Sequence, residues 1–259
     1  MYTGRRTFIH TVLCISACAS AVASAASIGG TVNSIAGTSP LSRERLASAA
    51  ANGENLYSHL DSFVCREQVE RYRGVLHGTV GRHLETITAK LSFSGGIESY
   101  SELTRKTDPF SDLTELEGAW STGEFGTLLK QTQHLLRTQD STFEGYETID
   151  GRAAALYSFG VDARESSWDL KVERRHYSLA FRTDVWVARE TGAILKIRRR
   201  STGVPSEGIS SVEWAITLKR FALAGEQWLL PGSGEYSVGY SNGRGREWNR
   251  MKFSDYRRQ

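Results

Sequence analysis

The sequence predicts an α+β fold in which one strongly curved antiparallel sheet, a half-open β-barrel, is covered by two helices. Three observations carry this. Tight-turn signals, Ser94-Gly95-Gly96, Asp150-Gly151 and Gly225-Glu226 among them, join successive strand-like stretches, which antiparallel neighbours allow and parallel neighbours do not. Two stretches carry apolar residues at helical spacing, and the rest of the chain beyond Phe63 follows a period of two. Helices placed this way are not crossovers of a parallel sheet, so a single sheet has to curl over them. A two-sheet sandwich with the helices packed at one end is the alternative.

Residues 1–25 read as a signal peptide. Arg5 and Arg6 form its basic start, Thr11 to Ala21 a short apolar middle, and Ala23-Ser24-Ala25 a small-residue cleavage site. Arg5-Arg6-Thr7-Phe8-Ile9 also resembles a twin-arginine export signal. Ile15-Ser16-Ala17-Cys18 resembles a lipobox, whose Cys18 would be acylated and become the mature terminus. Residues 26–39, rich in Gly, Ser and Thr, form a flexible leader, and 40–259 form a single domain.

Within that domain Ser39 caps, and Pro40 opens, a first helix whose apolar face is Leu41, Leu46, Ala49, Ala50, Leu56 and Leu60, with an interruption at Asn52-Gly53. Three strands follow, Phe63 to Arg73, Leu84 to Phe93 and a third reaching Leu103, until Asp108-Pro109 breaks the sheet. Ser121 and Glu124 have the spacing of a capping box before a second helix with Phe125, Leu128, Leu129, Thr132 and Leu136 on one face. Strands then run through Thr142 to Ile149, Arg152 to Val161, Trp168 to Val172 and Tyr177 to Thr183. Val212, Trp214, Ile216 and Leu218 mark a half-buried strand, and Pro231-Gly232 and Asn242-Gly243 punctuate the last ones.

The clearest hairpin is Asp184 to Arg200. With Glu190-Thr191-Gly192 as its loop, Val187 faces Leu195 and Val185 faces Ile197 on a core side. Trp186 faces Lys196 and Asp184 faces Arg198 on a solvated side. The residues Val185, Trp186, Val187, Thr191, Gly192, Ile194, Leu195 and Lys196 resemble a hairpin of the exported half-barrel proteins, the lipoprotein carriers LolA and LolB and the periplasmic regulator RseB. That resemblance implies a LolA-like fold, an envelope location, and an apolar ligand, a lipid or the acyl chain of a lipoprotein, held between sheet and helices.

Charge and composition narrow the classes. Without Arg5 and Arg6 the chain has 30 basic against 29 acidic residues, a balance that argues against a nucleic-acid-binding surface. Cys14 and Cys18 fall in the signal, so Cys65 stands alone in the mature chain without a disulfide partner and reads as a small buried hydrophobe. The histidines are scattered, and no phosphate loop, nucleophile elbow or metal-spaced set is present, so no catalytic residue, metal or cofactor is assigned. The arginine run Arg198 to Arg200 and Arg257-Arg258 read as a solvated strand edge and a tail, with peripheral contact to a membrane as the functional alternative.

The function expected from these features is non-enzymatic binding of an apolar ligand, with Phe125, Leu128, Leu129, Trp186 and Trp214 as the lining residues. The alternatives are an exported module that binds polysaccharide or a protein partner, and a hydrolase of unrecognised type. Six tryptophans, Trp120, Trp168, Trp186, Trp214, Trp228 and Trp248, are enough to fill the interior in place of a guest.

Overall fold

The computed structural model describes residues 40–60, 63–75, 80–94, 97–123, 126–172, 175–206, 208–241 and 245–258. The expected signal peptide, the lipobox at Cys18 and the leader lie outside these residues, as do Glu124 and Phe125. Helix α1 (Pro40–His59) is followed by β1 (Phe63–Gly74), β2 (Gly81–Ser94), β3 (Ile97–Arg105) and β4 (Asp108–Pro109). After a 3-10 turn (Leu113–Glu115) come α2 (Thr127–Thr138), β5 (Thr142–Ile149), β6 (Arg152–Val161), β7 (Asp169–Val172) and β8 (Arg175–Ser178). The hairpin strands β9 (Phe181–Ala188) and β10 (Ile194–Ser201) lead to β11 (Ile209–Leu223), β12 (Glu226–Tyr240) and β13 (Arg246–Arg258).

Eleven of these strands form one sheet in the order β4-β3-β2-β1-β13-β12-β11-β10-β9-β6-β5. Its neighbours are antiparallel, and β4 and β5 end it without pairing to each other, so the barrel is open. Curvature follows from what α1 touches. The Asn52 amide donates to the Thr191 carbonyl beyond β9 at 3.1 Å, while the Tyr57 ring lies edge-on to Phe93 of β2 at 5.3 Å. In a flat sheet β2 and β9 would be roughly 29 Å apart, whereas five residues of helix rise roughly 7.5 Å, so the sheet has to curl around α1. A single apolar cluster fills the concavity, with Leu46 and Ala50 of α1, Leu128 and Leu136 of α2, and Leu91, Val185, Trp214 and Phe253 of the sheet.

Several local expectations are corrected. Helix α1 is continuous through Gly53. A Cβ there would lie 3.3 Å from Gln133 Oε1 and 3.4 Å from Ile194, so this glycine serves the close approach of α1 to α2 and β10. Helix α2 begins at Thr127 with Gly126 as N-cap, not at a Ser121–Glu124 box. The Glu98 carboxylate of β3 takes the free helix-end N–H groups of Gly126 at 2.8 Å and Thr127 at 3.1 Å. Asp108-Pro109 pairs with β3 as an edge strand, where a missing N–H is tolerated. Pro231-Gly232 makes a bulge inside a continuous β12 instead of a turn.

The central hairpin keeps three predicted pairs, Lys196 with Trp186, Ile197 with Val185 and Arg198 with Asp184. Its loop is five residues, Val187 pairs with Ile194, and an irregularity at Leu195 turns that side chain to the face of Trp186. That face is not solvated: Trp186 and Asp184 are each 2% exposed. Ala154, Ala188 and Leu195 pack on Trp186, and the stems of Lys196 and Arg198 bring their charges to 4.8 and 5.3 Å from its ring centre, which seals the patch from water.

Candidate functional site

The inner face of the sheet has a cover beyond the two helices. Strands β7 and β8 form their own two-stranded ladder and share none with the main sheet. Trp168, Leu170 and Leu179 from this segment join the main apolar cluster, and the Trp168 ring meets Phe181 edge-on at 5.7 Å. The hairpin is therefore held to the sheet by side chains.

Where α1, α2 and the sheet meet, they leave a cleft of about 330 Å³ open to solvent. Leu56, Leu129, Ile194, Trp228 and Leu229 make its apolar wall, and Asn52, Asn55 and Gln227 its polar rim. One side is steadied by Trp228, whose ring stands 5.1 Å from Phe63 and 5.1 Å from the Arg258 guanidinium. A second depression of about 410 Å³, on the other side of the sheet, is lined mostly by polar and charged groups including Arg66, Lys90, Glu102, Asp255 and Arg257.

The structure brings together some of the residues assigned to the ligand and separates others. Leu129 lines the cleft. Leu128 and Trp214 lie in the main cluster beneath it, both at most 2% exposed. Trp186 sits on the opposite face of the sheet, where its indole N–H donates to Glu147 at 2.8 Å. Phe125 lies outside the described residues. Leu56, Ile194, Trp228 and Leu229 were not assigned to the ligand from the sequence. Their signal was faint: alternation from Ile197 points Ile194 outward and only the irregularity at Leu195 turns it inward, while Trp228 and Leu229 depend on how β12 bends.

The arginine run is likewise not an edge. Strand β10 is interior, between β9 and β11. Arg198 and Arg200 point outward and donate to Asp184 Oδ2 at 2.7 and 2.9 Å. Arg199 points inward and is 1% exposed. Its Nη1 donates to Gln131 Oε1 of α2 at 2.8 Å, and its guanidinium carbon lies 4.1 Å from the centre of the Phe181 ring. Burial lowers its pKa to about 9, so it remains a cation at neutral pH. Cys65 is buried and unpaired, and burial pushes its thiol well above the ordinary range, which disarms it as a nucleophile. Among the described residues no group of His, Cys, Asp or Glu side chains is placed to hold a metal ion, and no helix is long and apolar enough to cross a membrane.

No protein-family model and no curated protein sequence matches the chain. Among solved structures it is similar to a DUF1329 family protein from Desulfovibrio piger, at 10% identity and a TM-score of 0.45, over 83% of this chain and 92% of that one. It is also similar to a LolA superfamily protein from Nitrosomonas europaea, at 12% identity and a TM-score of 0.36, over 83% of this chain and 91% of that one. A third is the Mycobacterium tuberculosis lipoprotein LppX, at 10% identity and a TM-score of 0.31, over 82% of this chain and 95% of that one. The resemblance to LolA-like half-barrels is loose.

Proposed function

We propose that this is an exported, non-enzymatic envelope protein that binds an apolar chain, from a lipid or an acylated lipoprotein, in the cleft between α1, α2 and the open sheet. The observation that carries the reading is the cleft itself, about 330 Å³ with Leu56, Leu129, Ile194, Trp228 and Leu229 as an apolar wall and amides at the rim. Its size is at the lower end of small-molecule sites and suits one chain better than a whole lipid. Much of the remaining concavity is filled by the apolar cluster, to which Trp168 and Trp214 contribute. In this reading residues 1–25 direct export, and Cys18 acylation would anchor the domain through its leader.

Uptake of a fluorescent fatty acid tests the proposal. The wild-type protein takes it up saturably, and Leu129→Glu, which places a charge in the cleft wall, weakens uptake tenfold or more while leaving the circular-dichroism spectrum intact. No saturable uptake, or equal uptake by the variant, would leave the polysaccharide or protein-binding module as the better reading. N-terminal sequencing of the protein from its own host tests export: a chain beginning at Ala26 or at an acylated Cys18 agrees, and an intact Met1 does not.

A further inference from the structure

Among the described residues Arg199 is a buried cation without an anion. Its Nη1 meets a neutral amide oxygen, and no protein acceptor reaches its buried Nε or Nη2 among the described residues. Nε and Nη2 are adjacent on one edge of the guanidinium, the two-pronged edge that matches a carboxylate or a phosphate.

The neighbours of Arg199 across the sheet repeat the pattern. In register it pairs with Thr183 on β9 and with Trp214 on β11. Each of those side chains is at most 2% exposed, and the Thr183 hydroxyl and the Trp214 indole N–H are also buried without a protein partner. The covers add two more such groups, the Trp168 indole N–H beside β7 and the Thr132 hydroxyl of α2. Side chains directly opposite on adjacent strands stand roughly 5 Å apart, so Thr183, Arg199 and Trp214 form a continuous row able to donate hydrogen bonds. Among the described residues no carboxylate bonds to any of the three. An unpaired buried cation and orphaned donors are costly to a fold, and a row of them on one face is what an anion receptor needs.

We propose that the row Thr183, Arg199 and Trp214 receives the anionic head, a carboxylate or a phosphate, of an amphiphile whose apolar chain lies toward the cleft. This rests on the function proposed above and names the class of ligand. Arg199 and Ile194 are five residues apart on β10 and share its inner face because of the irregularity at Leu195, so head and cleft are roughly 16 Å apart along the strand. The head would enter where Trp168 and the β7–β8 hairpin it leads into, which lacks a backbone ladder to the main sheet, lift from Arg199 and Phe181.

Titration calorimetry of the full domain with dodecyl phosphate, dodecanol and inorganic phosphate tests this, on the wild type and on Arg199→Met. The wild type is expected to bind dodecyl phosphate roughly ten- to a hundredfold more tightly than dodecanol, the discrimination of hydrogen bonds to a charged group. Arg199→Met is expected to lose that preference while its affinity for dodecanol stays within about twofold. If Arg199→Met does not fold, Arg199→Lys serves, since it keeps the charge but loses the two-pronged edge and so loses most of the preference. Dodecanol binding as tightly as dodecyl phosphate to the wild type, or a preference that survives both substitutions, overturns the assignment and leaves the cleft standing. Inorganic phosphate binding as tightly as dodecyl phosphate overturns the amphiphile and leaves a free-anion site. Absence of binding by all three probes removes this proposal and the cleft reading together.

Discussion

Two arginines point into the concave side of the same sheet, and their surroundings are opposite. Arg71 on β1 is 2% exposed and its two terminal nitrogens are occupied. One forms an ion pair with Glu85, and the other donates to the carbonyls of Glu117 and, at 3.3 Å, Ala119. Around it Glu247 accepts from Arg73 at 2.8 Å and from the Ala119 N–H at 2.8 Å, and Asn249 donates to the Ala119 carbonyl at 2.9 Å. That end of the half-barrel is a polar network, saturated except at the buried Arg71 Nε, that clamps the chain following β4 against the sheet. Arg199 on β10, equally buried, has one amide acceptor and no acid among the described residues. Burial lowers the pKa of both, but at Arg71 Glu85 and Glu247 pull the other way. Burial alone therefore does not define a structural arginine. The difference lies in the partners: a buried guanidinium paired with acids specifies a fold, and one without an acid is open to a ligand.

The largest effect that sharpens this contrast is expected at Arg71. Arg71→Met should lower stability by about 3 to 5 kcal/mol in urea melts, because it strands the buried side of Glu85 and the carbonyls it serves. A loss under about 1 kcal/mol would mean the network is decorative. Next, Leu128→Ala, fully buried between α2 and the sheet, should cost about 2 to 5 kcal/mol. Leu195→Ala should cost a similar amount although it lies on the opposite face with Trp186, since that face is sealed as well. Glu98→Ala removes the carboxylate that caps α2 and should cost about 1 kcal/mol, visible as a small fall in midpoint. At the bottom, Arg199→Met without ligand should cost nothing measurable or should stabilise, as replacement of buried charge by an apolar side chain often does. If Arg199→Met and Arg71→Met were equally damaging, the two arginines would not differ in kind.

Much of the fold was legible in the sequence because strand parity and turn chemistry are local. Asp150-Gly151 carries the two positive φ values, 47° and 76°, of a tight hairpin, and Val212, Trp214, Ile216 and Leu218 all face the main cluster. What was not legible depended on distant pieces. The N-terminus of α2 is fixed by Glu98, 28 residues away from Gly126, and no capping pattern announces that. The dry outer face at Trp186 needed the Leu195 irregularity, which strand alternation does not announce. Of the candidate site, Leu128, Leu129 and Trp214 could be named from periodicity. Arg199 was concealed in a run of three arginines, although its parity with Ile197 already placed it inward.

Native mass spectrometry combined with solvent extraction, on protein purified from its own host, shows whether Arg199 holds the anionic head of a bound amphiphile. One amphiphile per chain with a carboxylate or phosphate head is expected, and loss of that species on Arg199→Met. A wild-type protein that carries no such molecule, and takes up neither fatty acid nor dodecyl phosphate when they are supplied, would contradict this assignment.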